Sequence, residues 1–221
     1  MELISIPYFL PLSLALAVTF GVRELATWRG IRWMKYLLTP MITILIIFFV
    51  VVSIADDGFT LYRVCILAAL LLSLAADTML MIEETSLVQY GIVYFLLAHI
   101  AYIVSFSIGV QFKMWNIPVG VVLVVLLMMF NRGIRGHVGN LEAPIMIYAF
   151  VLILMLFMAV SMLNAGITIK NVIICSGAIM FVVSDMLLAF LTFIRPYTHE
   201  SVVVWALYAP AQLLFAISCF Y

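Results

Sequence analysis

The chain has 221 residues, of which 68% are hydrophobic and only 9% are charged, and its mean hydropathy is +1.33. An ordinary soluble domain has about 25% charged residues, so this composition excludes a soluble globular fold and predicts a polytopic membrane protein. The formal net charge is zero, which excludes the strongly basic balance typical of nucleic-acid-binding proteins, and we expect no nucleic-acid partner.

Eight apolar runs are long enough to cross roughly 30 Å of hydrocarbon, which takes about 20 residues. In chain order they cover about Ile6–Leu25, Lys35–Ile54, Leu61–Ile82, Ser86–Val110, Met114–Phe130, Ala143–Leu163, Asn171–Ile194 and Ser201–Phe220. The first run has neither a basic leader nor a small-residue cleavage site, so we expect it to be retained. Short loops predict antiparallel neighbours in one all-α bundle, a single domain over residues 1–221.

The distribution of Lys and Arg predicts the orientation of this bundle. The odd-numbered loops and adjacent helix ends carry Arg23, Arg29, Arg32, Lys35, Arg132, Arg135 and Arg195. The opposite side carries only Arg63, Lys113 and Lys170. The excess predicts cytoplasmic odd loops and both termini on the other side, in a bacterial inner membrane or a eukaryotic endomembrane.

Two aspartates lie inside the apolar runs, Asp77 in the third and Asp185 in the seventh. A carboxylate at membrane depth costs roughly 2.5–3.5 kcal/mol on insertion scales, so it normally faces a bundle interior and marks a functional site. The alternative is that each is protonated or capped by neighbours and only holds helices together.

The two aspartates also align an internal similarity. The segment Leu71–Met81 (LLSLAADTMLM) and the segment Ile179–Ala189 (IMFVVSDMLLA) place their aspartates 108 residues apart. An even number of helices per repeat preserves chain direction, so the similarity predicts two four-helix halves related by an axis along the membrane normal. Chance similarity between apolar helices is the alternative.

Further polar residues are expected near the same membrane depth. Asp77 lies about five residues, or roughly 8 Å, from the odd-loop end of its helix. Asp185 lies roughly 13 Å from the same end, Lys35 begins the second span there, and His99 lies near mid-depth, at the expected floor of a cavity. Tyr208 and Gln212 lie in the same membrane half. Such convergence indicates one site.

Helical spacing relates these side chains to one another. Ser73 shares a face with Asp77, and its hydroxyl is expected to reach that carboxyl. His99 and Tyr102 share a face, as do Tyr208 and Gln212. Ser184 points about 100° away from Asp185 and is expected to bond backbone.

The alternatives for these residues are structural: a core imidazole for His99, packing for the tyrosines, and a head-group contact made by an extended Lys35 side chain. The cysteines (Cys65, Cys175 and Cys219) lie in apolar runs and are interpreted as packing. Only one histidine lies within a span, and a zinc site needs about three protein ligands, so we expect no metal site.

Several motifs resemble those of the YhhN family of integral membrane proteins, which includes the lysoplasmalogenases. They are Ser73-Leu-Ala-Ala-Asp77-Thr-Met-Leu80, Gly91-xxx-Phe95-xx-Ala98-His99-xx-Tyr102, Gly177-Ala178-xx-Phe181-xx-Ser184-Asp185-xx-Leu188-Ala189 and Tyr208-xxx-Gln212. Lys35 with Thr39-Pro40 is similar to the family's Lys-Pro-Leu-Thr element, with the proline displaced. Ala76 departs from the family's glycine before the first aspartate, a change that should affect packing more than chemistry.

The resemblance implies a lysoplasmalogenase-type hydrolase, which cleaves the vinyl ether bond of a lysophospholipid. The products are a fatty aldehyde and glycerophosphoethanolamine or glycerophosphocholine. It implies that Asp77 and Asp185 form an acid and base pair, in an order that is left open, and that no cofactor is needed. His99, Tyr102, Tyr208, Gln212, Ser73 and Ser184 are then expected to position substrate or water, and Lys35 to bind the phosphate.

Two other functions are compatible with the same residues. Carboxylates near the membrane midplane and repeated halves also describe proton-coupled transporters. A lipid-binding bundle without turnover is the third alternative. Membrane lipids are the expected surroundings in each case, and the oligomeric state is not predicted.

Overall fold

The computed structural model describes residues 8–82 and 87–221, and these residues form helices and loops without a strand. The eight long helices are α1 (Phe9–Trp28), α2 (Arg32–Asp57), α3 (Leu61–Met81), α4 (Val88–Ser107), α5 (Asn116–Ile134), α6 (Glu142–Met162), α7 (Ile169–Ala189) and α8 (Glu200–Ile217). A π-helical turn (Phe190–Ile194) extends α7, and a 3-10 turn (Ser218–Phe220) extends α8.

All eight helices are long and apolar enough to cross a membrane, which confirms the prediction of a polytopic all-α protein. The predicted starts of the first and fourth spans, at Ile6 and Ser86, lie outside the described residues. The described boundaries fall within about four residues of the predicted ones when the terminal turns are counted, a difference typical of frayed helix ends. The orientation in the membrane stays a prediction.

Six helices build the interior, and two lie at its periphery. The closest pairs are α3 with α4 and α7 with α8, while α2 and α6 connect the two halves by packing on α8 and α4 respectively. α1 packs mainly on α2, with a light contact on α8, and α5 packs mainly on α6. The helix-neighbour pattern of the first half therefore recurs in the second, which supports the predicted repeat.

Local structure repeats at the same spacing of 108 residues. Gly58 and Gly166 both adopt positive φ, at 81° and 149°, in the turns that precede α3 and α7. Thr60 and Thr168 then cap these two helices, each accepting a hydrogen bond of 3.2 Å from the backbone N–H three residues later. Such caps typically contribute about 1 kcal/mol each. The two aspartate-bearing helices thus begin in the same way.

A glycine allows α7 and α8 to approach closely. Gly177 on α7 faces the Phe215 ring of α8, and a Cβ atom at this position would lie 2.8 Å from that ring and 3.2 Å from the carbonyl oxygen of Ala211. Gly21 on α1 has no atom within 4 Å of the equivalent position. Backbones approach closely in membranes through such small residues.

We therefore expect Gly177→Ala to lower the free energy of unfolding by about 1–3 kcal/mol, because a methyl group has to displace the Phe215 ring and the α8 backbone. The matched control Gly21→Ala should leave stability unchanged or slightly raised. Thermal unfolding of both variants in the same detergent measures the difference. Equal melting temperatures for the two variants would contradict this account of α7–α8 packing.

Candidate functional site

A cavity of about 230 Å³ opens among α1, α2, α3, α4, α7 and α8 at the odd-loop end of the bundle. Four of the predicted residues line it: Lys35, Asp77, Asp185 and Tyr208. The other lining residues are Arg23, Thr39, Leu80, Met81, Phe95, Leu188, Glu200, Ser201, Val204 and Trp205. The cavity thus joins both carboxyl groups, cations and an anion to an apolar wall.

Asp77 is buried, and its carboxyl group accepts hydrogen bonds from two other helices. The Thr43 hydroxyl of α2 donates to Oδ2 over 2.8 Å, and the Tyr208 hydroxyl of α8 donates to the same oxygen over 3.0 Å. Thr43 lies on the face of α2 that also carries Lys35 and Thr39, at intervals of four residues. One face of α2 therefore supplies two residues of the cavity wall and a donor to the carboxyl.

Asp185 is partly buried, and its two oxygens accept separate hydrogen bonds. The Tyr148 hydroxyl of α6 donates to Oδ2, and the Ser184 hydroxyl donates to Oδ1 over 3.3 Å. The expectation that Ser184 bonds backbone was wrong, because its Oγ reaches the adjacent carboxyl. Asp77 and Asp185 line the same cavity.

The donors to the two carboxyl groups lie on equivalent helices of the internal repeat, although their positions, 43 and 148, do not match its spacing. α2 donates to the aspartate of α3 through Thr43, and α6 donates to the aspartate of α7 through Tyr148. The sequence analysis missed both donors, because a lone hydroxyl in an apolar helix does not indicate the direction in which it points. The repeat provided a signal: a donor on the second helix of one half predicts a donor on the second helix of the other.

A chain of hydrogen bonds extends from Asp77 into the core. The Tyr102 hydroxyl of α4 donates to Oε1 of Gln212, and Nε2 of Gln212 donates to the Tyr208 hydroxyl over 2.9 Å. Tyr208 in turn donates to Asp77. Tyr102 and Gln212 are fully buried and do not line the cavity. They therefore make no contact with the cavity and are connected to it only through the hydrogen bond to Tyr208.

His99 also lies behind the cavity wall, which corrects the expectation that it forms the floor. Its Nδ1 lies 2.6 Å from the carbonyl oxygen of Phe95, and a carbonyl only accepts, so Nδ1 carries the proton. Its Nε2 is buried and has no hydrogen-bond partner among the described residues. The ring packs edge-on against Phe181 and Tyr148, with centroids 4.8 Å and 5.2 Å away.

Ser73 does not hold the Asp77 carboxyl as expected. It is fully buried on the same face of α3, but no hydrogen bond joins its hydroxyl to Asp77. Thr43 and Tyr208 bond the carboxyl instead, because they approach from neighbouring helices and do not need to reach back along α3.

Arg23 is a residue of the site that the sequence analysis counted only as a topology signal. Its side chain is fully buried and contacts a second helix: it donates to the carbonyl oxygen of Ser201 over 3.2 Å and to the Ser201 hydroxyl over 2.7 Å. It forms an ion pair of 2.5 Å with Glu24 and lies 4.4 Å above the Trp205 ring. Its charge also acts on Asp77. The adjacent Arg23-Glu24 pair within an apolar run was the available signal.

The residues that the structure describes contain no group of three or more His, Cys, Asp or Glu side chains that could hold a metal ion. Hydroxyl, amide and guanidinium groups donate hydrogen bonds to the polar atoms at the cavity.

We expect Gln212→Leu to lower the free energy of unfolding by about 1–3 kcal/mol, because it leaves the buried Tyr102 hydroxyl without its acceptor and Tyr208 without a donor. The control Gln111→Leu makes the same change at an exposed position. Thermal unfolding measures both, and adding Tyr102→Phe to Gln212→Leu should recover part of the loss. A loss in Gln111→Leu as large as in Gln212→Leu would refute this role for the chain of hydrogen bonds.

Comparison with known proteins assigns the chain to a family. The model of the YhhN family matches residues 34–219, from the start of α2 almost to the C-terminus. No curated protein and no solved structure matches the chain significantly. The family match spans most of the chain and contains both aspartates and their hydroxyl donors. The chain therefore belongs to the YhhN family.

Proposed function

We propose that the protein is a lysoplasmalogenase-type hydrolase that cleaves the vinyl ether bond of a lysophospholipid. The observation that carries the proposal is that Asp77 and Asp185 line one cavity with Lys35 and Arg23 nearby. Two carboxyl groups are what the hydrolysis of a vinyl ether requires, and cations beside them suit a phosphate. Paired carboxyls divide acid and base roles in this way in glycoside hydrolases.

The first chemical step is transfer of a proton from one carboxyl group to the β-carbon of the vinyl ether. The double bond supplies the electron pair, and the adjacent ether oxygen shares the resulting positive charge as an oxocarbenium ion. A carboxyl group removed from water holds its proton more readily than an exposed one, so it can deliver the proton within the membrane. The second carboxyl group, as a carboxylate, stabilises the cation.

The second step is capture of the cation by water. The carboxylate removes a proton from the water as its oxygen bonds to the α-carbon, which gives a hemiacetal. The same carboxyl group then returns that proton to the ether oxygen, and the first aspartate takes the hydroxyl proton of the hemiacetal as the carbon–oxygen bond breaks. The products are a fatty aldehyde and a glycerophospho-alcohol, and both aspartates regain their starting states. These steps consume one water and require no metal or organic cofactor.

We assign the acid to Asp185 and the carboxylate to Asp77. Both accept two hydrogen bonds, so hydrogen bonding alone does not separate them. The charge of Arg23 acts on Asp77, and a cation favours the ionised form of a neighbouring carboxyl. The two groups that bond Asp185, Tyr148 and Ser184, are by contrast neutral hydroxyls. Tyr208, bonded to Asp77 and lining the cavity, is the proposed residue that orients water.

Charged residues around the cavity suit a zwitterionic head group. Lys35 and Glu200 both line it, on α2 and at the start of α8. We propose that Lys35 contacts the phosphate and Glu200 the cationic amine of an ethanolamine or choline group. A compact ammonium is suited to a phosphate as a point charge. Arg23, held by Ser201 and Glu24, adds positive potential without leaving its own partners.

Asp77→Asn and Asp185→Asn should each reduce aldehyde release from lysoplasmalogen by about a hundred-fold to ten-thousand-fold, because each removes one of the two proton-transferring groups. Asp56→Asn, the same change at an exposed aspartate at the other end of the bundle, is the matched control and should retain activity. Mass spectrometry of the aldehyde measures turnover, and thermal unfolding verifies that the variants are folded. Wild-type turnover in either site variant would overturn the assignment.

Infrared spectroscopy tests which aspartate is the acid. The carbonyl stretch of a protonated carboxyl group at neutral pH should disappear in Asp185→Asn and persist in Asp77→Asn, because the proposed assignment puts the proton of the resting protein on Asp185. Asp56→Asn should give the wild-type spectrum. Loss of the band in Asp77→Asn alone would reverse the two roles.

A proton-coupled transporter is the second candidate, and the repeat favours it, because each half contributes one carboxyl group to a shared cavity. A carrier would move substrate across a vesicle membrane in response to a pH gradient and release no product. A non-catalytic lipid-binding protein would do neither. Incubating the purified protein with lysoplasmalogen separates them: free aldehyde supports the hydrolase, and unchanged lipid supports one of the others.

A further inference from the structure

A second cavity, of about 160 Å³, lies between α1 and α8 and is lined almost entirely by apolar side chains. α1 contributes Ser13, Leu16, Ala17 and Phe20. The hydroxyl of Ser13 donates to the carbonyl oxygen of Phe9 over 2.8 Å, so even this side chain turns its polar atom to its own helix.

The facing wall of this cavity comes from α8 and consists of Ala209, Pro210 and Leu213. Ala17 and Ala209 are small, and α1 touches α8 only lightly because it packs mainly on α2. The space between the two helices therefore remains open toward the surrounding hydrocarbon. We call it the α1–α8 groove.

The α1–α8 groove follows the polar cavity along the same two helices. On α1, Arg23 lines the polar cavity and Phe20, one turn away, lines the groove. On α8, the residues 201, 205, 209 and 213 follow one another at helical spacing; the first two line the polar cavity and the last two line the groove. The same two helix faces thus form both walls.

The α1–α8 groove lies deeper in the membrane than the polar cavity and extends along α1. From Phe20 to Ser13, α1 rises about 10 Å. The residues nearer the odd-loop end are charged or polar, and those deeper are apolar. A molecule that fills both cavities therefore has a charged end at the odd-loop side and an apolar chain toward the bilayer centre, which is the polarity of a lipid in a membrane.

We propose that the α1–α8 groove binds the alkenyl chain of a single-chain ether phospholipid while its head group and vinyl ether occupy the polar cavity. This inference rests on the proposed hydrolase function. The vinyl ether joins the head-group side of such a lipid to its chain. The head group and the chain must therefore both be bound in fixed places if the vinyl ether is to lie between the two aspartates. Because bilayer lipid is as apolar as the groove, the groove contributes orientation more than affinity.

Filling the groove should impair only substrates whose chain enters it. Ala17→Phe places a ring in the groove, and Ala15→Phe, the same change two residues earlier at an exposed position outside the groove, is the matched control. For a hexadecenyl substrate, Ala17→Phe should lower kcat/KM about ten-fold or more, since small misplacements of a reacting bond cost up to about a hundred-fold. For a butenyl substrate, too short to enter the groove, the change should stay within about two-fold.

A binding measurement tests the groove without turnover. The probe is a saturated ether lysophosphoethanolamine with a diazirine at the end of its chain, added to the wild-type protein in nanodiscs. Light should attach it to the peptides of residues 13–20 and 209–213, and excess unlabelled lysophosphoethanolamine should reduce the labelling.

The outcomes separate the inference from the proposed function. Loss of activity toward the short and the long substrate alike in Ala17→Phe, or no loss toward either, would overturn the groove assignment. Labelling that is spread over other helices, or that a diazirine fatty alcohol without a head group reproduces, would overturn it as well. If the wild type releases no aldehyde but the probe labels both segments under competition, the hydrolase proposal fails and the groove assignment remains.

Discussion

The hydrogen bonds that Thr43 and Tyr208 donate to Asp77 meet the strongest constraint on this bundle, which is that a polar group in hydrocarbon needs a partner within the protein. They connect α2 and α8 to α3. Tyr208 is held by Gln212, and Gln212 by Tyr102 of α4, so the same chain of bonds reaches a fourth helix. The register of four central helices is thereby coupled to one carboxyl group, and a shift of any of them would leave a buried polar atom without its partner.

The second half of the chain meets the same constraint with different side chains. Tyr148 of α6 bonds Asp185 where Thr43 of α2 bonds Asp77, so the repeat preserves the direction of donation and changes the donor. The two peripheral helices, α1 and α5, differ from each other more than the central helices of the two halves do. α1 sends Arg23 into the cavity, whereas its counterpart α5 contributes none of the lining residues. A nearly symmetric frame therefore surrounds its two carboxyl groups with unequal charges. In the proposed function, the two carboxyl groups need such inequality to take different roles in proton transfer.

The sequence predicts the eight spans, because their length and apolarity leave little choice. It also predicts that Asp77 and Asp185 face the interior of the bundle, because a carboxyl group in hydrocarbon is costly. It does not predict which hydroxyl groups bond those carboxyls. Tyr148 lies in an apolar helix and gives no sign of its direction, since helix rotation is set by packing. Arg23 lies near a loop and resembles an ordinary topology residue until α8 is packed beside it. His99 carries a strong signal but lies behind the wall, because distance along the chain estimates depth and not the radial position.

The family match begins at residue 34, so α1 lies outside it, while the aspartates and their donors lie within it. In the proposed function, the matched part carries the proton transfers, and α1 carries Arg23 and one wall of the groove. α1 is also held chiefly by α2 and only lightly by α8. Changes on the α8-facing side of α1 would then alter which lipid fits while the hydrogen bonds of Asp77 and Asp185 remain intact. In this proposal, the chemistry and the selection of the substrate thus depend on different helices of the same bundle.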